Sequence, residues 1–204
     1  VKLLSIMVRM QIIYLHGFQS SPMSKKGQQL EQYCTNVEHA DVHLPDLNKP
    51  PEHVLRDISK LIESLPLDQV RLVGSSLGGF YATYLVAKYG CPAVLINPAM
   101  QPWQLFEDLF GIEQIPLKVT DSWTLDADQL QQLQSIADTK LKHADKILVL
   151  LQRGDEVLDY RQAQRYYNAA QPSALILTDA DGNHAMDDFE EKLPFVLRFL
   201  STAL

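Results

Sequence analysis

The residues with the clearest chemical potential are Gly74-Ser75-Ser76-Leu77-Gly78, a G-x-S-x-G pattern. An apolar run typical of a buried strand precedes it, and a helical pattern begins at Leu77. A serine at such a junction, with a glycine on either side, is typical of a nucleophile elbow, a tight turn that projects the hydroxyl above the sheet edge. The alternative is a glycine- and serine-rich turn in which Ser76 only caps the helix. The flanking elements favour the nucleophile.

A serine hydroxyl needs a base to remove its proton, and histidine is the usual one. The chain has six histidines, at positions 16, 39, 43, 53, 143 and 184. An elbow fold places its triad along the chain in the order serine, acid, histidine, which leaves His143 and His184. His143 precedes a predicted strand and therefore belongs to the wrong edge of the sheet. His184 follows the last predicted strand, and we predict that it is the base rather than a solvated loop residue.

The acid is expected between Ser76 and His184, beyond the carboxyl end of a strand. Asp155 meets this condition, and it would hold the histidine in the required tautomer. Other acids nearby are Glu156, Asp159, Asp179 and Asp181. Glu156 is expected to point away, Asp159 to enter the next helix, and the last two to shape the histidine loop. An acid after the preceding strand is disfavoured because Asn97-Pro98 stands there.

Two backbone N–H groups are needed to bind the oxyanion that forms when an ester is attacked. One is predicted to be that of Leu77, directly after the nucleophile, and the other that of Phe18, in the loop after the first strand. His16 in that loop is interpreted as a structural, hydrogen-bonding residue. Ser20 and Ser21 are predicted to cap the helix that follows.

The predicted elements that position these residues alternate between strands and helices. Strands are expected at 11–15, 41–44, 70–74, 93–96, 147–151 and 174–178, and helices at 22–34, 51–65, 77–89, 160–170 and 187–203. The strand runs are apolar throughout and lack polar alternation, which indicates a mostly parallel sheet covered by helices on both faces. We expect one domain over residues 10–204, preceded by an extension or a short extra strand at 1–9.

Residues 99–142 are too long for one crossover and are predicted to form a small helical cap. Trp103, Phe106, Leu109 and Phe110 share a helical stripe there. Trp103, Phe106 and Phe110 could line an acyl pocket, or these rings could simply pack the cap onto the core. The segment from 99 to 138 holds seven acids and one lysine. This acidity favours neutral acyl esters over polyanionic substrates, unless a local basic patch overrides it.

Composition narrows the class of protein. The 204 residues are 46% hydrophobic and 21% charged, as in ordinary globular domains, and the net charge of −7 makes nucleic acid an improbable partner. The longest aliphatic run is about five residues, far short of the roughly 20 that span a bilayer. Two cysteines fit a reducing compartment, so a soluble cytoplasmic protein is expected. No His, Cys or Asp cluster has metal-ligand spacing, and we expect neither a metal nor a cofactor.

Several motifs together resemble a known family. They are Tyr14-Leu-His-Gly-Phe-Gln-Ser-Ser-Pro22, Leu44-Pro-Asp-Leu47, Val73-Gly-Ser-Ser-Leu-Gly-Gly-Phe-Tyr81, Asn97-Pro98, Gly154-Asp-Glu-Val-Leu-Asp-Tyr160 and Gly182-Asn-His184. This set is similar to that of the small bacterial YqiA-like esterases of the α/β-hydrolase superfamily. The resemblance implies hydrolysis of carboxylic esters or thioesters, with Ser76, Asp155 and His184 matching the triad of the family.

The sequence therefore predicts a serine hydrolase that cleaves esters with short to medium acyl chains through an acyl-enzyme intermediate. Thioesters are a second candidate substrate class. One alternative keeps the triad but changes the reaction, for example to acyl transfer or C–C bond hydrolysis, because a fold alone does not define a reaction. Another is a catalytically inactive binding protein of the same fold. The oligomeric state is left open.

Overall fold

A computed structural model of the chain describes residues 9–37 and 40–202. The predicted extension at 1–9 therefore lies, apart from Arg9, outside the described residues. The strands are β1 (Met10–Leu15), β2 (Ala40–His43), β3 (Val70–Ser75), β4 (Ala93–Ile96), β5 (Leu117–Lys118), β6 (Thr124–Leu125), β7 (Ile147–Gln152) and β8 (Leu175–Asp179). The helices are α1 (Lys25–Val37), α2 (Pro51–Ser64), α3 (Leu77–Tyr89), α4 (Pro102–Phe110), α5 (Ala127–Ala137), α6 (Tyr160–Ala169) and α7 (Phe189–Thr202).

Six strands form one parallel sheet in the order β2-β1-β3-β4-β7-β8. Because successive side chains of a strand point to opposite faces, each strand supplies two cores. In β1, Ile13 and Leu15 pack with α2, α3 and the cap, whereas Ile12 and Tyr14 pack with α1 and α7. The inner strands β1, β3, β4 and β7 are buried on both faces, as their uninterrupted apolar runs predict, whereas Leu175 and Leu177 of the edge strand β8 are exposed.

The chain reverses direction across the sheet between β1 and β3. The crossover after β1 carries α1 to one face, and the crossover after β3 carries α3 to the other. The loops leaving the carboxyl ends of these two strands diverge, and such a point in an open parallel sheet forms a crevice where ligands bind. Ser76 lies immediately after β3 at this edge.

Most predicted boundaries agree with the structure to within a few residues, and α3 and β4 have the predicted first and last residues. The start of α1 differs, because the helix begins at Lys25 rather than at 22. Ser24 Oγ accepts the N–H of Gly27 at 3.4 Å, while Ser21 Oγ accepts that of Met23 in a turn. Ser24 is thus the residue at the helix N-terminus, and the prediction that Ser20 and Ser21 cap this helix was wrong.

The cap contains α4 and α5, as the two helical stripes predict, and also a short antiparallel pair of strands, β5 and β6, that the sequence did not indicate. Asp126 begins α5 by accepting the N–H of Gln129 at 2.9 Å. The Gln129 side chain in turn accepts the Trp123 indole N–H at 2.7 Å. This bond fixes the buried Trp123 ring within the cap.

Candidate active site

Ser76 occupies a strained turn between β3 and α3. Its φ of 53° and ψ of −119° lie in a region that non-glycine residues seldom adopt, as expected at a nucleophile elbow. The flanking glycines allow the strand and helix to approach this closely. A Cβ on Gly78 would overlap the Leu15 carbonyl of β1, and one on Gly74 would lie 2.5 Å from the Gly78 carbonyl oxygen. The local sequence therefore dictates the turn that exposes the hydroxyl.

The loop after β8 brings His184 to Ser76 across 108 positions of sequence. His184 Nε2 lies 3.0 Å from Ser76 Oγ, and Nδ1 lies 2.8 Å from Asp155 Oδ2. The network assigns the proton to Nδ1, since a carboxylate only accepts and Nε2 must then be the acceptor for the serine hydroxyl. The structure thus brings together the three side chains that the sequence selected, in a linked hydrogen-bonded row.

Asp155 is held in place by the turn that follows β7. Its carboxylate is only 2% exposed, and Oδ1 accepts the backbone N–H groups of Val157 at 2.9 Å and Leu158 at 2.8 Å. The other oxygen, Oδ2, is therefore left to face His184. The neighbouring Glu156 does not point away as predicted, because its Oε2 accepts the backbone N–H of His184 at 3.0 Å. Two adjacent acids thus hold one histidine, one through its ring and one through its backbone.

Sequence reasoning missed the part played by Asn97, which is buried at the end of β4 with φ of 40°. Its Nδ2 donates to the carbonyls of Asn183 at 3.1 Å and His184 at 3.3 Å, and its Oδ1 accepts the N–H of Gln152. Gln152 Oε1 accepts the N–H of Asn183 at 2.8 Å. A buried amide must find hydrogen-bond partners. An asparagine at the end of a buried strand was therefore the sequence signal that this side chain holds a neighbouring loop.

His16 is buried behind the loop after β1, and its side chain forms no hydrogen bond with Ser76. Its Nε2 accepts the Leu47 N–H at 2.9 Å, and its Nδ1 donates to the Gly17 carbonyl at 2.8 Å. Burial lowers the pKa of this imidazole below its usual value of 6.5. Asp46 lies 3.5 Å from Nε2, but a nitrogen that accepts from Leu47 carries no proton to donate. The structural interpretation of His16 is confirmed.

The loop after β1 passes directly over the nucleophile. A Cβ on Gly17 would stand 3.3 Å from Ser76 Cβ, which shows how closely the loop approaches. The Phe18 N–H has no hydrogen-bond acceptor among residues 9–37 and 40–202. The Leu77 N–H opens α3, where first-turn N–H groups have no acceptor within the helix. Within the described part of the chain, neither N–H group donates to a protein acceptor.

A cavity of about 270 Å³ reaches Ser76 and His184. Its walls come from the loop after β1, the first turn of α1 and the segment after His184. The predicted acyl-pocket residues Trp103, Phe106 and Phe110 are absent from these walls. Phe106 and Phe110 pack on the Phe18 ring, with centroids 4.4 and 6.0 Å away, as the packing alternative predicts.

Trp103 lines a separate cavity of about 660 Å³ between the cap, α3 and α6. Ser76 is not among the residues that line this larger space. Leu109, expected on the same apolar stripe, is instead 56% exposed. Phe106 and Phe110 therefore support the loop after β1 from behind, and none of the three predicted aromatic residues lines the cavity at Ser76.

Other candidate sites are excluded by position. His143 lies against Gly90 at the amino edge of the sheet, as its place before β7 predicts. Among the described residues, no group of three His, Cys, Asp or Glu side chains is placed to hold a metal ion. Over the same part of the chain, no helix has the length and apolarity to cross a membrane.

A parallel sheet flanked by helices, with a tight turn at Ser76 after β3 and a loop carrying His184 after the last strand, is the α/β-hydrolase fold. The chain belongs to the Uncharacterised protein family (UPF0227), whose model matches residues 11–201. The UPF0227 protein YcfP of Salmonella arizonae is 27% identical over 190 residues, which cover 92% of this chain and 97% of YcfP.

Two solved structures show the same fold. Est1E from Butyrivibrio proteoclasticus, solved with ferulic acid bound, superposes with a TM-score of 0.72 at 17% identity over 95% of this chain and 89% of Est1E. A pyrethroid hydrolase from Sphingobium faniae gives a TM-score of 0.66 at 14% identity, covering 95% and 98% of the two chains. At these identities the likeness concerns the fold.

Proposed function

We propose that the protein is a serine hydrolase that cleaves carboxylic esters with short to medium acyl chains through an acyl-enzyme intermediate. The observation that carries the proposal is the row Ser76 Oγ–His184 Nε2 and His184 Nδ1–Asp155 Oδ2, at 3.0 and 2.8 Å. Nucleophile, base and orienting acid in hydrogen-bond contact are the arrangement that activates a serine. The elbow presents this serine at the mouth of a cavity.

In the first half of the reaction, His184 Nε2 takes the proton of Ser76 Oγ as the oxygen attacks the ester carbonyl. The Phe18 and Leu77 N–H groups donate to the oxyanion of the tetrahedral intermediate. The intermediate collapses when the C–O bond to the leaving alcohol breaks, and His184 donates its proton to that oxygen. The acyl group is then covalently attached to Ser76.

The second half repeats these steps with water as the nucleophile. His184 removes a proton from water, the hydroxyl attacks the acyl carbonyl, and the proton returns to Ser76 as the acid leaves. Asp155 stays ionised and stabilises the imidazolium that forms twice per cycle. Glu156 and Asn97, through their bonds to the His184 backbone, hold the ring at its distance from Ser76.

The structural neighbours support hydrolysis as the reaction class, since one of the two solved proteins is a pyrethroid hydrolase and the other, Est1E, was solved with ferulic acid bound. Neither indicates which ester this chain cleaves. The 270 Å³ cavity favours substrates that are small on the side that enters it.

The test is a panel of p-nitrophenyl esters of increasing acyl length, together with acyl thioesters, on the wild type and two variants. Ser76→Ala is expected to abolish turnover, and Asp155→Asn to lower kcat by about 10³- to 10⁴-fold because the histidine tautomer is lost. Ser135→Ala, on the exposed face of α5, is the matched control and should behave as wild type. Full turnover by Ser76→Ala would overturn the proposal.

A fluorophosphonate probe separates this proposal from the alternative of an inactive binding protein. The wild type should be labelled at Ser76, as read by peptide mass spectrometry, and the Ser76→Ala variant should not react. A wild type that binds esters but is not labelled would support the inactive alternative.

Product analysis in the presence of acceptor alcohols would show acyl transfer as a new ester in place of the free acid.

A further inference from the structure

The cavity at Ser76 has a cationic wall. Ser24 and, from the start of α1, Lys25, Lys26 and Gln29 contribute to its lining, together with the segment that follows His184. Among the described residues, Asp187 is the one carboxylate in this lining. The acidic residues of the cap are absent from this lining, so the net charge of the cap does not describe the space next to the nucleophile.

Lys26 is the central group of this wall. Its side chain is half-buried, and burial lowers the pKa of its ammonium. Nζ donates to the Ala185 carbonyl at 2.6 Å, and no carboxylate within the described ranges lies within 4.0 Å of it. An ammonium has three N–H donors, so two remain for a group in the cavity. A partly desolvated cation with a single neutral partner is stabilised by an anion that binds beside it.

The position of the two lysines is unfavourable for α1 itself. The helix has no acidic residue in its first turn, and cations at the positive end of a helix dipole destabilise it. Lys25 has only an exposed pairing with Asp187 at 3.5 Å, a kind of ion pair that contributes little to stability. Residues that are unfavourable for the local structure are often found at functional sites, and the two lysines at the start of α1 are such residues.

We propose that the ester cleaved at Ser76 carries an anionic group, a carboxylate or a phosphate, on its leaving alcohol, and that this group binds in the cavity against Lys26. The inference rests on the proposed function. His184 must protonate the leaving oxygen, and its ring lines this cavity together with Ala185. The leaving group therefore enters the space that Lys26 and Lys25 face, with the hydroxyls of Ser20 and Ser24 as further donors.

The proposal changes the expectation of neutral substrates that the acidity of residues 99–138 suggested. The acyl group remains short and uncharged, but the alcohol side is anionic. Asp187 interacts with both lysines and reduces the positive potential of the wall, but it does not cancel it, because two ammonium groups face one carboxylate.

The experiment compares three acetate esters whose leaving groups share one ring: methyl 4-acetoxybenzoate, 4-acetoxybenzoate and 4-acetoxyphenyl phosphate. Each kcat/KM is divided by the hydroxide-catalysed rate constant of the same ester, which removes differences in intrinsic reactivity. We expect the wild type to prefer the anionic esters by about tenfold, mainly through KM, since a charge-assisted hydrogen bond is about twice as strong as a neutral one. The larger of the two anionic preferences identifies carboxylate or phosphate as the favoured group.

Lys26→Met is expected to bring the preference close to one, and Lys26→Arg to retain most of it. A merely structural role of Lys26, through its bond to Ala185, would lower all three rates together and leave their ratios unchanged. Lys60→Met, which removes an exposed lysine from α2, is the matched control and should keep the wild-type preference. High salt should weaken the preference, because this wall is open to solvent.

Two results would overturn the inference: a wild type without preference for the anionic esters, or a preference that survives in Lys26→Met. Both results are judged only on the esterase activity that the Ser76→Ala substitution abolishes. Ser76-independent hydrolysis would instead contradict the proposed function, so the two failures are distinguishable.

Discussion

At the scale of single residues, the site depends on side chains that hold backbone segments. His16 accepts from Leu47 and donates to Gly17, which connects the loop over Ser76 to the segment after β2. The ring is 2% exposed, and this arrangement requires the neutral imidazole. Protonation would replace an acceptor with a donor facing the Leu47 N–H.

The stability of the fold is therefore expected to depend on the protonation of His16. Burial lowers its folded pKa below 6.5, so between the folded pKa and 6.5 the unfolded chain binds the proton that the folded chain excludes. The free energy of unfolding should fall as the pH drops below 6.5, by on the order of 1 kcal/mol per pH unit within that window. Urea unfolding at pH 7.5 and 5.5 measures this loss.

His16→Gln is the informative variant, because a glutamine oxygen accepts the Leu47 N–H at every pH. Its stability at pH 7.5 should be lower than that of the wild type, with a smaller further loss at pH 5.5. His53→Gln, at an exposed position on α2, should keep the full pH dependence. If His16→Gln lost as much stability on acidification as the wild type, another group would be responsible.

At the scale of elements, the cap contacts the loop over Ser76 through aromatic rings that pack on Phe18. The Phe106 ring of α4 lies 4.4 Å from that of Phe18, whose N–H is a proposed oxyanion donor. Trp123, held by Gln129, packs on the same ring at 5.9 Å. The face of α4 that packs carries Trp103, Phe106 and Phe110, at a spacing of three and then four residues. Leu109 falls on the next row around the helix and faces solvent.

Phe106→Ala is expected to destabilise the protein by about 3–4 kcal/mol, because a buried ring is replaced by a cavity. Its kcat toward a p-nitrophenyl ester should also fall, since the Phe18 loop loses its support. Leu109→Ala, three residues away on the exposed side, should change stability by less than about 0.5 kcal/mol. Thermal unfolding and ester kinetics on both variants check this, and equal effects of the two substitutions would contradict the assigned packing.

At the scale of the whole molecule, the C-terminal helix is anchored to the sheet by a buried cation. Arg71 of β3 is 5% exposed and donates Nε to the Leu200 carbonyl at 2.6 Å. Its Nη1 donates to the carbonyls of Asp68 at 2.8 Å and Val70 at 2.9 Å. Burial lowers the pKa of the guanidinium, and three of its five N–H donors are paired with these carbonyls. Arg71 thus joins the start of β3 to the end of α7.

Arg71→Met should lower the free energy of unfolding by about 2–4 kcal/mol, because buried carbonyls lose a charged donor. The effect is on stability, and surviving folded protein should keep its fluorophosphonate reactivity at Ser76. Arg198→Met, an exposed arginine on α7, is the control and should unfold at the wild-type urea concentration. A variant at position 71 as stable as this control would show that the anchor is dispensable.

The sequence by itself determined the alternation of strands and helices, the elbow at Ser76 and the choice of Asp155 and His184. These depend on local periodicity, on glycines beside one serine and on chain order, all of which can be read along the chain. The parallel sheet follows from the same apolar runs, because strands buried on both faces lack polar alternation.

Only the tertiary structure decided how Glu156, Asn97 and Lys26 approach the segment around His184, and which cavity reaches Ser76. Each of these contacts joins residues between 28 and 159 positions apart. No local pattern encodes the direction of such a side chain, because it depends on which elements pack beside it. For the same reason the acidity of the cap does not describe the charge next to Ser76, since electrostatic effects depend on distance in space.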